Sequence, residues 1–197
     1  MRALMWAVMP HRTRSARVAA VVLACATLIC QLAHAQEARS LLGYRGDTSF
    51  WIDVPPGWDS DAFASQRLGA IFMLRPADYT FDSAPYVVYA NMLGDSTIES
   101  AMESDAREFR ASDPQLKITD RAGVTSKSGE KFKLREFRSA KLRQQGYEAI
   151  AYLPRGKHVL LFVFSAQSEA QYAAGFPVFQ QLLSTYSSSA PKVTLGK

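Results

Sequence analysis

The chain has 197 residues, 23 Lys+Arg against 18 Asp+Glu, 48% apolar side chains and two cysteines. That length suits one domain with a core large enough to fold without disulfides. Four arginines fall in the first 35 residues, so the remainder carries 19 bases against 18 acids, and near-neutrality gives no general case for nucleic-acid binding.

Residues 1–35 read as a secretory signal peptide. Arg12, Arg14 and Arg17 make a basic start, Val18 to Leu32 an apolar run, and Ala33-His34-Ala35 places small residues at both cleavage-determining positions. The run is about fifteen residues, short of the roughly 18–20 that a membrane-spanning helix needs. Cleavage near Ala35-Gln36 implies a periplasmic or secreted protein with no transmembrane span after processing. Cys25, Cys30, His11 and His34 all leave with this segment, so the mature chain keeps no thiol and one imidazole, His158.

Residues 36–47 read as a polar lead-in, 48–187 as the folded domain and 188–197 as a flexible tail. Ser49 to Val54 is a first strand, closed by Pro55-Pro56-Gly57. Ala70 to Leu74, Tyr86 to Leu93 and Val159 to Phe164 are strand-length runs that are apolar throughout, which requires both faces of the sheet to be covered. Ser96 and Glu99 have capping-box spacing, and Ile98, Met102, Ala106 and Phe109 then share one helix face, ended by Asp113-Pro114. Lys117 to Val124, Phe132 to Ser139 and Tyr147 to Leu153 alternate as half-exposed strands do. Pro154 to Lys157 is a turn that makes the last two strands an antiparallel hairpin. A second helix starts near Ser168, with Tyr172, Phe176, Phe179, Leu183 and Tyr186 as its core stripe; Pro177 should kink or divide it.

The run FWIDVPPGW (Phe50 to Trp58) resembles the strand, proline turn and Gly-Trp opening of the PsbP-like superfamily of photosystem II extrinsic and Mog-type proteins, as found in bacterial exported members. LGAIFMLRP (Leu68 to Pro76), APYVVYANM (Ala84 to Met92) and the stretch from Val159 to Leu183 are similar to its later strands and last helix. The resemblance implies an α+β single domain, an antiparallel sheet of about six to seven strands covered by helices on both faces. It implies no shared activity.

The chemistry-bearing residues are sparse. His158 has no partner motif for nucleophilic catalysis, and no set of Cys or His ligands suits zinc. Asp59 and Asp61, or Asp78 and Asp82, could act as paired acids or bind calcium, but their spacing fits turns and caps better. Arg45-Gly46-Asp47 carries no weight as a recognition tripeptide. No catalytic, cofactor or metal residues are assigned, and no cofactor is expected.

The strongest charged feature is the set Lys131, Lys133, Arg135, Arg138, Lys141 and Arg143. Lys131, Lys133 and Arg135 alternate, sharing one strand face while Phe132 and Leu134 share the other. These cations are candidates for an anionic surface, although Glu99, Glu103, Asp105, Glu108 and Asp113 of the first helix could neutralise them instead. The sequence thus points to a monomeric, non-catalytic accessory or protein-binding module of the cell envelope, its partner an unknown envelope protein or an anionic surface rather than nucleic acid. A small-ligand or lipid-binding protein using a pocket between sheet and helix is the alternative, and a hydrolase-like enzyme the third reading.

Overall fold

The computed structural model describes residues 39–139, 141 and 146–190. The signal-peptide segment, Arg143 and the end of the tail from 191 lie outside those residues.

The segment expected to be a polar lead-in is a strand. β1 (Arg39–Arg45) pairs antiparallel with β2 (Thr48–Val54), and Arg45-Gly46-Asp47-Thr48 is the hairpin turn between them. Its pattern was hidden because its packing residue is a glycine. Gly43 stands opposite Phe50, and a Cβ on it would lie 2.3 Å from that ring. β2 is also held by the chain beyond the last helix, through Trp51 N to Ser187 O at 2.8 Å and the reciprocal bond at 2.9 Å. Ser188 donates to Glu130 at 2.8 Å, so the chain remains packed past the expected boundary.

Seven further strands make one wholly antiparallel sheet in the order β3-β4-β5-β9-β8-β7-β6. They are β3 (Trp58–Ser60), β4 (Phe72–Pro76), β5 (Tyr86–Leu93), β6 (Lys117–Thr125), β7 (Lys131–Arg138), β8 (Tyr147–Arg155) and β9 (His158–Ala166). The β6–β9 meander returns its last strand to β5, which makes β9 central. The two-residue period of β9 then feeds two cores: Leu160, Phe162 and Phe164 on one face, Val159, Leu161 and Val163 on the other.

Three helices complete the domain: α1 (Ala62–Leu68), α2 (Ile98–Ser112) and α3 (Glu169–Thr185). α3 and the β1–β2 hairpin cover the first face, where Phe50, Phe162, Phe164, Phe179 and Tyr186 are buried. Gly175 lets α3 approach closely, since a Cβ there would lie 2.8 Å from the Phe164 ring. α3 runs through Pro177 as one helix, so the proline does not divide it. Both Pro177 and Ala173, whose carbonyl the proline cannot serve, are on the solvent side, so water can satisfy that carbonyl. α2 covers part of the second face, stacking Phe109 on Phe137 at 4.3 Å. Its cap is Thr97, which accepts from Ser100 N at 3.1 Å, not the Ser96–Glu99 box. Glu99 instead takes Lys133 Nζ at 2.6 Å. α1 was not foreseen: at seven residues it buries only Ala64 and Ser65 and shows no stripe. Among the described residues no helix is long and apolar enough to cross a membrane.

Candidate functional site

The cations of β7 meet acids of this same chain. Lys133 pairs with Glu99, and Arg135 holds both oxygens of Asp120 at 2.6 and 3.2 Å while donating to Met102 O at 3.1 Å. Arg138 lies over the Tyr172 ring at 4.3 Å and reaches Glu136 and Glu169. Lys141 is 3.8 Å from Asp113, and Lys131 is exposed. Lys131, Lys133 and Arg135 do share a strand face, with Phe132 and Leu134 buried on the other.

The aspartates serve turns and ends. Asp61 caps α1 by accepting from Ala64 N, and that backbone bond holds its carboxyl below the usual range, assisted by Arg75 at 3.3 Å against a smaller opposing effect of burial. Asp59 pairs with Arg39 at 2.8 Å, and Asp82 with Arg67 at 3.5 Å. The groups of three or more His, Cys, Asp or Glu that a metal site would need are absent among the described residues. His158 starts β9 opposite Arg155, and its buried Nδ1 has no hydrogen-bond partner. Trp58 is buried and stacks on Tyr86 at 5.5 Å.

The arrangement with most chemical content was not picked out from the sequence. α2 covers only one end of the second sheet face. At the other end lies a groove of about 620 Å³. Its floor is set by register: Val87, Ser165 and Glu148 form one row across β5, β9 and β8, and Met73 stands opposite Tyr89 beside it. Phe81 and Asp82 of the β4–β5 loop and Leu68 at the end of α1 form the wall.

Glu148 is 3% exposed and its Oε1 has no hydrogen-bond partner. Removal from water pushes its pKa up to about 8; the Ser165 hydroxyl pulls modestly the other way, and the charges of Asp105 and Glu108 on α2 add to the rise. Burial likewise raises the Tyr89 phenol beside it, with Glu148 and Asp105 adding to the effect. Asp105 itself accepts from Tyr152 Oη at 2.6 Å. Near neutral pH this region is therefore a carboxylic acid, able to donate one hydrogen bond and accept another, at the foot of an aromatic-walled groove. The one sequence signal was phase: Glu148 falls on the same strand face as Ile150 and Tyr152, both buried.

No family model matches the chain, and no curated protein does. Solved structures do. The crystal structure of the Ran-binding protein Mog1p from Saccharomyces cerevisiae is 11% identical, with a TM-score of 0.50 over 77% of this chain and 95% of that one. Cyanobacterial PsbP (CyanoP) from Synechocystis is 12% identical, with a TM-score of 0.49 over 78% of this chain and 95% of that one. The fold is PsbP-like, a single α+β domain, as the motifs from Phe50 onward imply.

Proposed function

We propose that this protein is an exported, non-catalytic binding module of the cell envelope whose binding site is the groove over β4, β5 and β9. One observation carries the reading: a buried glutamate offers an unpartnered carboxyl oxygen to a groove of about 620 Å³, the size range of small-molecule sites. Leaving such a group unpaired costs roughly 1–3 kcal/mol, and a ligand that pairs it recovers that cost. The basic start, apolar run and Ala33-His34-Ala35 support export, and the loss of every thiol and all but one imidazole supports binding rather than catalysis.

Native mass spectrometry of the mature protein, purified gently from its own envelope fraction, tests both parts. The expected mass begins at Gln36 and is accompanied by a heavier, ligand-bound species that Val87→Trp, which fills the floor, abolishes without unfolding the protein. A mature mass that retains residues 1–35 removes export. Absence of any bound species, together with no groove chemical-shift change on adding envelope extract, removes the site. A protein partner is the second reading, favoured by Phe63 and Leu68 of α1, which are 74% and 50% exposed, and by the shared fold with a Ran-binding protein. Under that reading Phe63→Ser and Leu68→Ser abolish pull-down of an envelope protein, and Val87→Trp does not.

A further inference from the structure

We infer that the groove takes an organic cation, a small amine with an apolar body, whose charged nitrogen pairs with Glu148. This rests on the groove being the binding site. The lining residues supply the rings of Phe81 and Tyr89 and two carboxylates, Asp82 and Glu148, with no Lys, Arg or His among the described lining residues; the Tyr86 ring packs on the other sheet face against Trp58 and Phe164. Aromatic faces with a carboxylate and no competing base are what recognise an ammonium group, through the ring quadrupole and the opposite charge together.

The charges around Glu148 point the same way. From α2 it faces Asp105 and Glu108, from β5 Tyr89, and from β9 Ser165. Its partner on β7 is Phe137, which is uncharged. Of the nearby bases, Arg135 is paired with Asp120, Arg67 with Asp82 while lying over Phe81 at 5.1 Å, and Arg45 is hydrogen-bonded to the neutral Asn91 amide at 2.5 Å. An anion entering the groove would meet Asp82 and Glu148, with Asp105 and Glu108 close by, whereas a cation neutralises Glu148, whose Oε1 has no hydrogen-bond partner.

Pairing has a proton consequence. The empty groove holds Glu148 protonated near neutral pH, so binding a pre-charged amine expels that proton to solvent and leaves an ammonium–carboxylate pair. No bond other than the carboxyl O–H is broken. Apparent affinity then rises with pH until the carboxyl ionises unaided.

The test uses three matched probes, 2-phenylethylamine, 2-phenylethanol and 3-phenylpropanoate, titrated into the mature protein by NMR. The amine should bind tightest, shifting Val87, Tyr89 and Ser165. It should bind about eightfold more tightly at about pH 8.5 than at about pH 7, as expected for a carboxyl with its midpoint near 8. Glu148→Gln should weaken it by at least about tenfold at the higher pH and flatten the pH dependence. A groove that takes the alcohol or the propanoate as tightly overturns the cation assignment and leaves the groove as a binding site. A groove that takes none of the three overturns both. Should Glu148→Gln fail to fold, the carboxyl ¹³C titration of the unsubstituted protein decides. Saturating amine must lower the Glu148 midpoint by about one pH unit or more, and an unmoved midpoint refutes the pairing.

Discussion

Replacing Glu148 by glutamine should change how stability depends on pH more than it changes stability at any one pH. In the folded chain the Glu148 carboxyl titrates at about 8, against an ordinary value of 4.5. Below about pH 4.5 both folded and unfolded chains hold the proton and the group contributes nothing. Between the two values the unfolded chain has lost its proton and the folded chain has not. Fewer protons on the unfolded state mean that stability falls as pH rises. The fall is about 1.4 kcal/mol per pH unit over roughly 3.5 units, or about 5 kcal/mol in total, and it ends near pH 8. Glutamine carries no titrating proton, so its contribution is flat. Its amide leaves an extra donor unpaired, a penalty of about 1–3 kcal/mol. Glu148→Gln should therefore be slightly less stable than the parent at about pH 4.5 and more stable by about 2–4 kcal/mol at about pH 8.5.

Urea titrations of both proteins at three pH values measure this directly, provided the slopes m agree so that only stability has changed. A crossing of the two stability curves is the expected result. Parallel curves, differing by a constant within about 0.5 kcal/mol, would refute the reasoning. They would mean that Glu148 ionises in the folded chain near its ordinary value and that the groove floor is wet.

Other substitutions test the packing and the charged surface. Phe162 is fully buried, its ring 5.5 Å from Phe50 and 5.6 Å from Phe132, so Phe162→Ala should cost about 3–5 kcal/mol in urea; a loss below about 1 kcal/mol would mean the strand is peripheral. Tyr172→Phe removes the 2.5 Å bond to the buried Glu136 but leaves Arg121 at 3.3 Å, and should cost about 2 kcal/mol; no measurable loss would show that the arginines satisfy Glu136 alone. Converting Lys131 and Lys133 to glutamine should change stability by less than about 0.5 kcal/mol, and adding Arg135→Gln should cost a further 1–2 kcal/mol or so because its fork holds Asp120 and a helix carbonyl. The same variants, mixed with anionic vesicles in a sedimentation assay, test the surface role of these cations, since salt-sensitive binding that the triple variant loses would assign it to this strand.

What the sequence disclosed follows the range of the contacts responsible. β5 from Tyr86 to Leu93, the β8–β9 turn and the stripes of α2 and α3 were legible because each depends on residues within a few positions. β1 was not legible, because its inward position is a glycine whose meaning lies in the Phe50 ring across the hairpin. The sequence placed the α2 cap at Ser96, one residue early, because Ser96 and Glu99 have capping-box spacing while Thr97 next to it is equally competent. Lys133, a strand away, settles it by taking Glu99. The continuity of α3 depends on where solvent lies, which a proline alone does not reveal. For Glu148 the phase was visible and the environment was not. Tyr147 to Leu153 reads as half-exposed, and all of it from Glu148 onward is buried because β8 lies inside the sheet between β7 and β9.

The two sheet faces differ in a way that bears on function. On the first, aromatic rings from the hairpin, four strands and α3 interlock, and the one buried carboxylate, Glu136, is bonded by Tyr172 and flanked by two arginines. On the second, the cover ends at the row holding Glu148, which lacks equivalent partners. The same chain thus demonstrates how to neutralise a buried carboxylate and does not do so at Glu148. Glutamine at that position would make the chain more stable by about 2–4 kcal/mol above about pH 8, a large share of the 5–15 kcal/mol that holds a typical domain folded. A cost of that size, borne at a groove and nowhere else in the sheet, is the physical ground for treating Glu148 as a binding group rather than a packing residue.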